Sequence, residues 1–321
     1  MQSKCIITLG NQGRLLLLIC ISLKAPCLTY SRFKRASRMD IVFLNGKWLD
    51  KDTAVVSVFD RGFMFGDSVY EVMAVYNRRI HEKEAHLSRL ERSLLSTKIK
   101  SPYSRKKLSS LLEQMIEKSG ISNSIIYLQV SRGVQFPRDH KIELGTEPTI
   151  LITLMEKKFL EWTEIEPLSL ITQADFRWAR GDIKVSSLIA NVMLRNEAVS
   201  KGYDDSILIR NERVIEATSA NIFLVKDGAV YTPQKSRFFL HGITRQTVLR
   251  LCEEIDLEAV ERDIFKDEIF TADEIWLSST GNILRPVRKV DDHLIGKKYP
   301  LEKSHWRKLY QQYCLDLGKA V

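Results

Sequence analysis

From Ile41 onward, apolar residues recur with two different periods. Ile41 to Leu44, Ala54 to Val58, Val69 to Tyr76, Ile125 to Ser131 and Thr149 to Met155 are rich in Val, Ile and Tyr and predict strands. Two segments carry helical spacing: Glu84 to Lys98, through His86, Leu87, Leu90, Leu94 and Leu95, and Ser104 to Lys118, through Leu108, Leu111, Leu112, Met115 and Ile116. A polar stretch from Glu156 to Glu166, closed by Pro167, predicts a connector. Beyond it, short strands are expected at Leu168 to Thr172, Ser206 to Ile209, Ile222 to Val225, Ala229 to Tyr231, Glu274 to Ser278 and Val287 to Val290. Helices are expected near Ser187 to Lys201, Thr244 to Ile255 and Leu301 to Leu317. The whole reads as an α+β protein of two domains, 39–157 and 167–321, joined by a linker at 158–166, with no internal repeat.

Charge changes this picture only at the N-terminus. The chain of 321 residues has a net charge of +9, yet seven of its 49 Lys and Arg lie in residues 1–38, where there is no acidic residue. The other 42 face 40 acidic residues, so the body is nearly neutral and no basic stripe interleaved with aromatics is present. A nucleic-acid partner is not expected. Cys5, Cys20 and Cys27 fall in the same leader, and Cys252 and Cys314 are too few and too far apart to form a disulfide framework. Leu15 to Ile21 has the outline of a secretory apolar core, but Lys24-Ala-Pro-Cys27 replaces the small-residue cleavage site and the run is too short to span a bilayer. The leader therefore reads as disordered or as sequence upstream of a start at Met39, with a targeting segment as the alternative. A cytoplasmic protein with no membrane partner is expected.

The candidate chemistry lies in four segments. Lys184 sits in Arg180-Gly-Asp-Ile-Lys184-Val-Ser-Ser, at an expected strand-to-helix corner. Glu216, in Glu216-Ala-Thr-Ser-Ala-Asn221, is expected to end a strand, and Gly242-Ile-Thr-Arg245 to open a helix. Together they offer an amine for a Schiff base, an anion for a pyridine nitrogen and free helix-start amides for a phosphate, which is the description of a pyridoxal 5'-phosphate (PLP) site. No metal site is expected.

With Asp60-Arg-Gly-Phe-Met-Phe-Gly-Asp-Ser-Val-Tyr-Glu71 added, the set in this order resembles the fold-type IV, or class IV, PLP-dependent aminotransferases over residues 39–321, and within them the branch acting on D-amino acids. The resemblance implies a smaller N-terminal α/β sandwich domain, a larger C-terminal domain with a barrel-like sheet, and a homodimer whose pockets lie at the subunit interface. It implies that Lys184 holds PLP and carries the proton between the substrate α-carbon and cofactor C4′. Glu216 would pair with the ring nitrogen. The phosphate would lie on Ile243 and Thr244, with the charge of Arg89 and the hydroxyl of Thr280.

Substrate selection is expected in Ser131-Arg-Gly-Val-Gln-Phe-Pro-Arg138-Asp-His140, which resembles a carboxylate trap. Arg138 would fork onto the α-carboxylate, His140 would add a donor and Tyr70 a hydroxyl, with Phe63, Phe65 and Val72 as lining. The implied reaction is transamination between a D-amino acid of the D-alanine or D-glutamate type and a 2-oxo acid such as 2-oxoglutarate or pyruvate. The alternatives on the same scaffold are an aminodeoxychorismate lyase and a branched-chain L-amino acid aminotransferase. Arg138-x-His140 argues against both.

Overall fold

The computed structural model describes residues 41–296 and 303–318, and the leader of 1–38 lies outside the described residues. The first sheet has six strands in the order β2-β1-β6-β5-β3-β4, all pairs antiparallel: β1 (Ile41–Leu44), β2 (Lys47–Asp50), β3 (Ser68–Tyr76), β4 (Arg79–Ile80), β5 (Ser124–Ser131) and β6 (Thr149–Glu156). Asn45-Gly46 closes the β1–β2 hairpin, with both residues at positive φ, the conformation that an Asn-Gly pair adopts most readily. A short helix, α1 (Arg61–Phe65), precedes β3, and α2 (Lys83–Thr97) and α3 (Arg105–Ser119) cover one face of the sheet. Leu87, Leu90, Leu94, Leu108, Leu111, Leu112 and Met115 fill that interface against Met73, Val75, Ile126 and Leu128. The helical spacing seen along the chain is thus the spacing of the core.

Strand β6 ends at Glu156 and the next begins at Leu168, with a 3₁₀ turn at Trp162–Glu164 between them. The second sheet runs β12-β11-β10-β13-β14-β7-β8-β9, with β15 (His293–Leu294) added on β14. Its members are β7 (Leu168–Ala174), β8 (Asp205–Arg210), β9 (Arg213–Ala217), β10 (Asn221–Lys226), β11 (Ala229–Thr232), β12 (Ala259–Glu261), β13 (Glu274–Ser279) and β14 (Ile283–Val290). The pairs β14–β7, β7–β8 and β11–β12 are parallel. Helices α4 (Ile189–Ser200), α5 (Ile243–Glu254) and α6 (His305–Asp316) complete a two-domain α+β fold with a curled second sheet.

One expected strand is absent. Residues 54–58 are irregular, because Asp50 ends β2 by accepting the backbone amides of Asp52, Thr53 and Ala54 through its carboxylate and carbonyl. Val55, Val56 and Val58 are exposed, so the β-branched residues that suggested a strand here cover surface and not a ladder.

Candidate active site

Strand β3 divides its side chains between two environments, as the period of two requires. Val69, Met73 and Val75 enter the core under α2 and α3, while Ala74 and Tyr76 enter the second core, built around α5 and α6. Glu71 shares the first face, is fully buried, and meets α2. Arg89 donates to it from Nε and Nη2, each at 2.8 Å, and His86 donates from Nδ1 at 2.8 Å. Burial opposes the charge on Glu71, but the Arg89 guanidinium and the donors from Arg89 and His86 outweigh it and hold the carboxyl at about 2. Burial lowers His86, which stays a neutral donor.

Lys184 comes from the second half of the chain, yet its backbone is bound to β3. Its carbonyl accepts from Tyr70 N–H at 3.0 Å, Val185 bridges Val69, and Ser186 N–H donates to the Ser68 carbonyl at 3.0 Å. Hydroxyls of Ser68 and Ser186 also bond to each other. The expected strand-to-helix corner is thus a short irregular segment that the first sheet holds in place. Nζ of Lys184 stands 4.1 Å from the centroid of the Tyr70 ring. Burial and then Arg89 bring the amine down to about 8, against the opposing pull of Glu71 and Glu216. Burial also raises Tyr70 to about 12, so the phenol keeps its proton.

Glu216 lies near the end of β9 with both oxygens engaged. Arg177 Nη1 donates to Oε1 at 2.7 Å and Asn221 Nδ2 to Oε2 at 3.3 Å. Arg177 is held in turn by Asp175, through Nε at 2.9 Å and Nη2 at 3.2 Å, and Arg210 pairs with the same aspartate at 3.1 Å. Burial pushes Glu216 up to about 7, and Arg177 limits the rise.

Asn221 also shapes the start of α5. It accepts from Gly242 N–H at 3.1 Å and donates to the Leu240 carbonyl at 2.8 Å. A Cβ at position 242 would lie 2.2 Å from the Asn221 amide oxygen, so any larger residue would push Asn221 out of its bonds at this turn. The first amides of α5 therefore point outward beyond Gly242, free of intrahelical partners.

These parts converge on one cavity of about 870 Å³. Of the residues singled out in the sequence, Lys184, Arg89, Glu216, Ile243, Thr244, Thr280, Tyr70 and Phe65 line it. Arg89 brings less free charge than expected, since two of its three nitrogens are given to Glu71 and Nη1 donates to the His241 carbonyl at 3.3 Å. The hydroxyl of Ser278, also on the wall, is buried without a hydrogen-bond partner.

Arg138 and His140 do not line this wall of the same chain, whereas Tyr70 does. The loop after β5 folds back against residues 59–63, through an Asp60–Val134 bridge and a bond from Gln135 N–H to the Phe59 carbonyl. It therefore sets Arg138 and His140, both exposed, against the Phe65 ring, at 4.2 Å from the guanidinium and 5.3 Å between rings. Phe63 and Val72 are not lining either: Phe63 points to solvent and Val72 packs on the second core.

Residues 68–290 match the amino-transferase class IV family, and the chain belongs to it. It is an aminotransferase, and enzymes of this class depend on PLP. The chain is 35% identical over 282 residues to a D-alanine aminotransferase of Bacillus licheniformis, covering 87% of this chain and 99% of that relative. It is 32% identical to the D-alanine aminotransferase of Listeria monocytogenes, covering 87% and 96%. Among solved structures it is similar in fold to the branched-chain amino acid aminotransferase of Escherichia coli, with a TM-score of 0.78, 21% identity, and 87% and 94% of the two chains covered. A putative 4-amino-4-deoxychorismate lyase of Legionella pneumophila aligns with a TM-score of 0.72 at 23% identity, covering 83% and 97%.

Sequence reasoning passed over Glu71, His86, Asp175 and Arg177. A signal existed for two of them: Glu71 is an acid on the buried face of a strand, and His86 precedes Arg89 by three on the buried stripe of α2. Asp175 and Arg177 lie beyond the end of β7 in no periodic element, and only the fold brings them to Glu216.

Proposed function

We propose that the chain catalyses transamination between a D-amino acid and a 2-oxo acid, with PLP in the large cavity. The observation that carries this reading is the convergence of Lys184, Glu216 and the α5 N-terminus on one cavity wall, in a chain 30–35% identical to D-alanine aminotransferases of several bacteria. The donor set fits the cofactor: a lysine amine shifted to about 8, a buried carboxyl on the same cavity wall, a helix start closely packed on Asn221 at Gly242, and an orphaned Ser278 hydroxyl. Bound there, PLP supplies an electrophilic carbon and an electron-withdrawing ring. Lys184 Nζ would hold it and would serve as the group that takes up the proton of the substrate α-carbon. Glu216, whose charge Arg177 favours against burial, would retain the proton on the ring nitrogen. The amides of Ile243 and Thr244, with Arg89 and Thr280, would receive the phosphate. Purified protein should exchange the amino group of D-alanine with 2-oxoglutarate. Preferential reaction with L-leucine or with aminodeoxychorismate would refute the reading in favour of a branched-chain enzyme or a lyase.

The amine of Lys184 must be unprotonated to capture the cofactor. Its neutral fraction grows tenfold per pH unit below about 8 and saturates above it, so cofactor uptake by the apo-protein should accelerate as pH rises and level off past about 8. Stopped-flow absorbance checks this, and a flat profile from pH 6.5 to 9 would contradict it.

The active unit in this reading is a cytoplasmic homodimer. Val55, Val58, Phe59, Phe63 and Phe136 form exposed apolar surface beside the loop that bears Arg138, with the Phe59 and Phe136 rings 4.8 Å apart, and a second copy would cover it. The loop would then serve the neighbouring cavity, with Arg138 and His140 receiving the α-carboxylate beside Tyr70. Arg138→Ala should raise KM for D-alanine by about 30-fold, or about 2 kcal/mol, and spare amines without a carboxylate. Mixing Lys184→Ala with Arg138→Ala subunits should restore activity, because one site of each mixed dimer is whole. Failure to complement would place the loop and the lysine in the same subunit.

A further inference from the structure

Arg61 lies off the cavity wall, only 4% exposed, and its guanidinium gathers four acceptors. Nε donates to Asp67 Oδ2 at 2.8 Å, Nη1 to Gln135 Oε1 at 3.0 Å and to the Asp139 carbonyl at 2.6 Å, and Nη2 to the His140 carbonyl at 3.4 Å. Gln135 extends the grip, donating its amide to the Lys141 carbonyl at 2.8 Å. The Phe65 ring is the second support: the Arg61 guanidinium lies 4.8 Å from its centroid, and Arg138 and His140 rest on the same ring. Burying a guanidinium is costly unless its donors are met, and here three of the four acceptors belong to the 135–140 segment, whose tip is exposed. A rigid planar fork suits this task, since it fixes several carbonyls at set angles at once, which a lysine cannot do.

We propose that Arg61 is a positioning residue for substrate recognition: through the Asp139 and His140 carbonyls, Gln135 and the Phe65 ring, it sets the conformation in which the loop presents Arg138 and His140 to the substrate carboxylate. This rests on the reading that those two side chains receive the carboxylate. Arg61 touches neither substrate nor cofactor and acts only through the loop.

The test uses cofactor-loaded Arg61→Gln, with Arg61→Lys as the conservative variant and Gln135→Leu as a second route to loosening the loop. Expected are a rise of about tenfold or more in KM for D-alanine with kcat changed far less, weaker competitive inhibition by a simple carboxylate such as propionate, and unchanged reaction with an amine lacking the carboxylate. Hydrogen exchange should speed up at residues 135–143 and nowhere else, and Arg61→Lys should not rescue the loop. Equal losses with both kinds of amine, or unchanged KM and exchange, would overturn the proposal. If Arg61→Gln fails to fold, Gln135→Leu must show the same split, or the proposal falls. Should the wild type not act on D-alanine, the functional reading fails instead, and the exchange data still decide whether Arg61 holds the loop.

Discussion

Lys184→Ala is expected to be without measurable turnover, a loss of at least about 10⁴-fold or about 5 kcal/mol, because one substitution removes both the covalent anchor and the proton carrier. The fold should survive. It is the Lys184 carbonyl that pairs with β3, and alanine keeps that bond. Wild-type protein should be yellow, and borohydride should fix the cofactor on the peptide containing residue 184. A variant that still forms a reducible link at another lysine would show that the assignment is wrong.

Glu216→Gln should slow the chemical step by about 100-fold, close to 3 kcal/mol, and leave cofactor affinity nearly intact. Glutamine preserves the shape and the bond from Asn221 but cannot hold a proton on a pyridine nitrogen by charge. Arg177 would lose one partner, yet Asp175 still takes two of its nitrogens, so little stability should be lost. Single-turnover rates with D-alanine separate the chemical step from binding. An unchanged rate would remove Glu216 from the chemistry.

Periodic elements were the most legible part of the fold. Helices α2 and α3 and strands β3, β5 and β6 lie within about two residues of the expected bounds, since their apolar stripes are the surfaces they bury. The segment 54–58 misled because strand-forming residues can equally furnish exposed apolar surface, and local composition does not separate the two. Strand β9 was expected only as the unbounded strand that Glu216 ends. In the site, Lys184, Glu216 and Gly242 to Thr244 could be found because their chemistry is unusual for their local position. Their supports could not: Asp175 and Arg177 are 39 residues or more from Glu216 in the chain, and no short-range pattern encodes that approach. That Arg138 and His140 lie off this chain's own cavity wall was illegible for the same reason, for a loop's residues say what they can bind but not which way the loop folds.

The backbone pairing of Lys184 with β3 gives the enzyme a shared hinge pin. The lysine belongs to the polypeptide of the second domain and to the sheet of the first, so neither half alone can hold the amine in register with Tyr70. Separating the Lys184 segment from the first sheet would break the bonds at Tyr70 and Ser186. Any ligand anchored on Lys184 is tied to both folding units at once. Its binding energy therefore adds to the stability of both together.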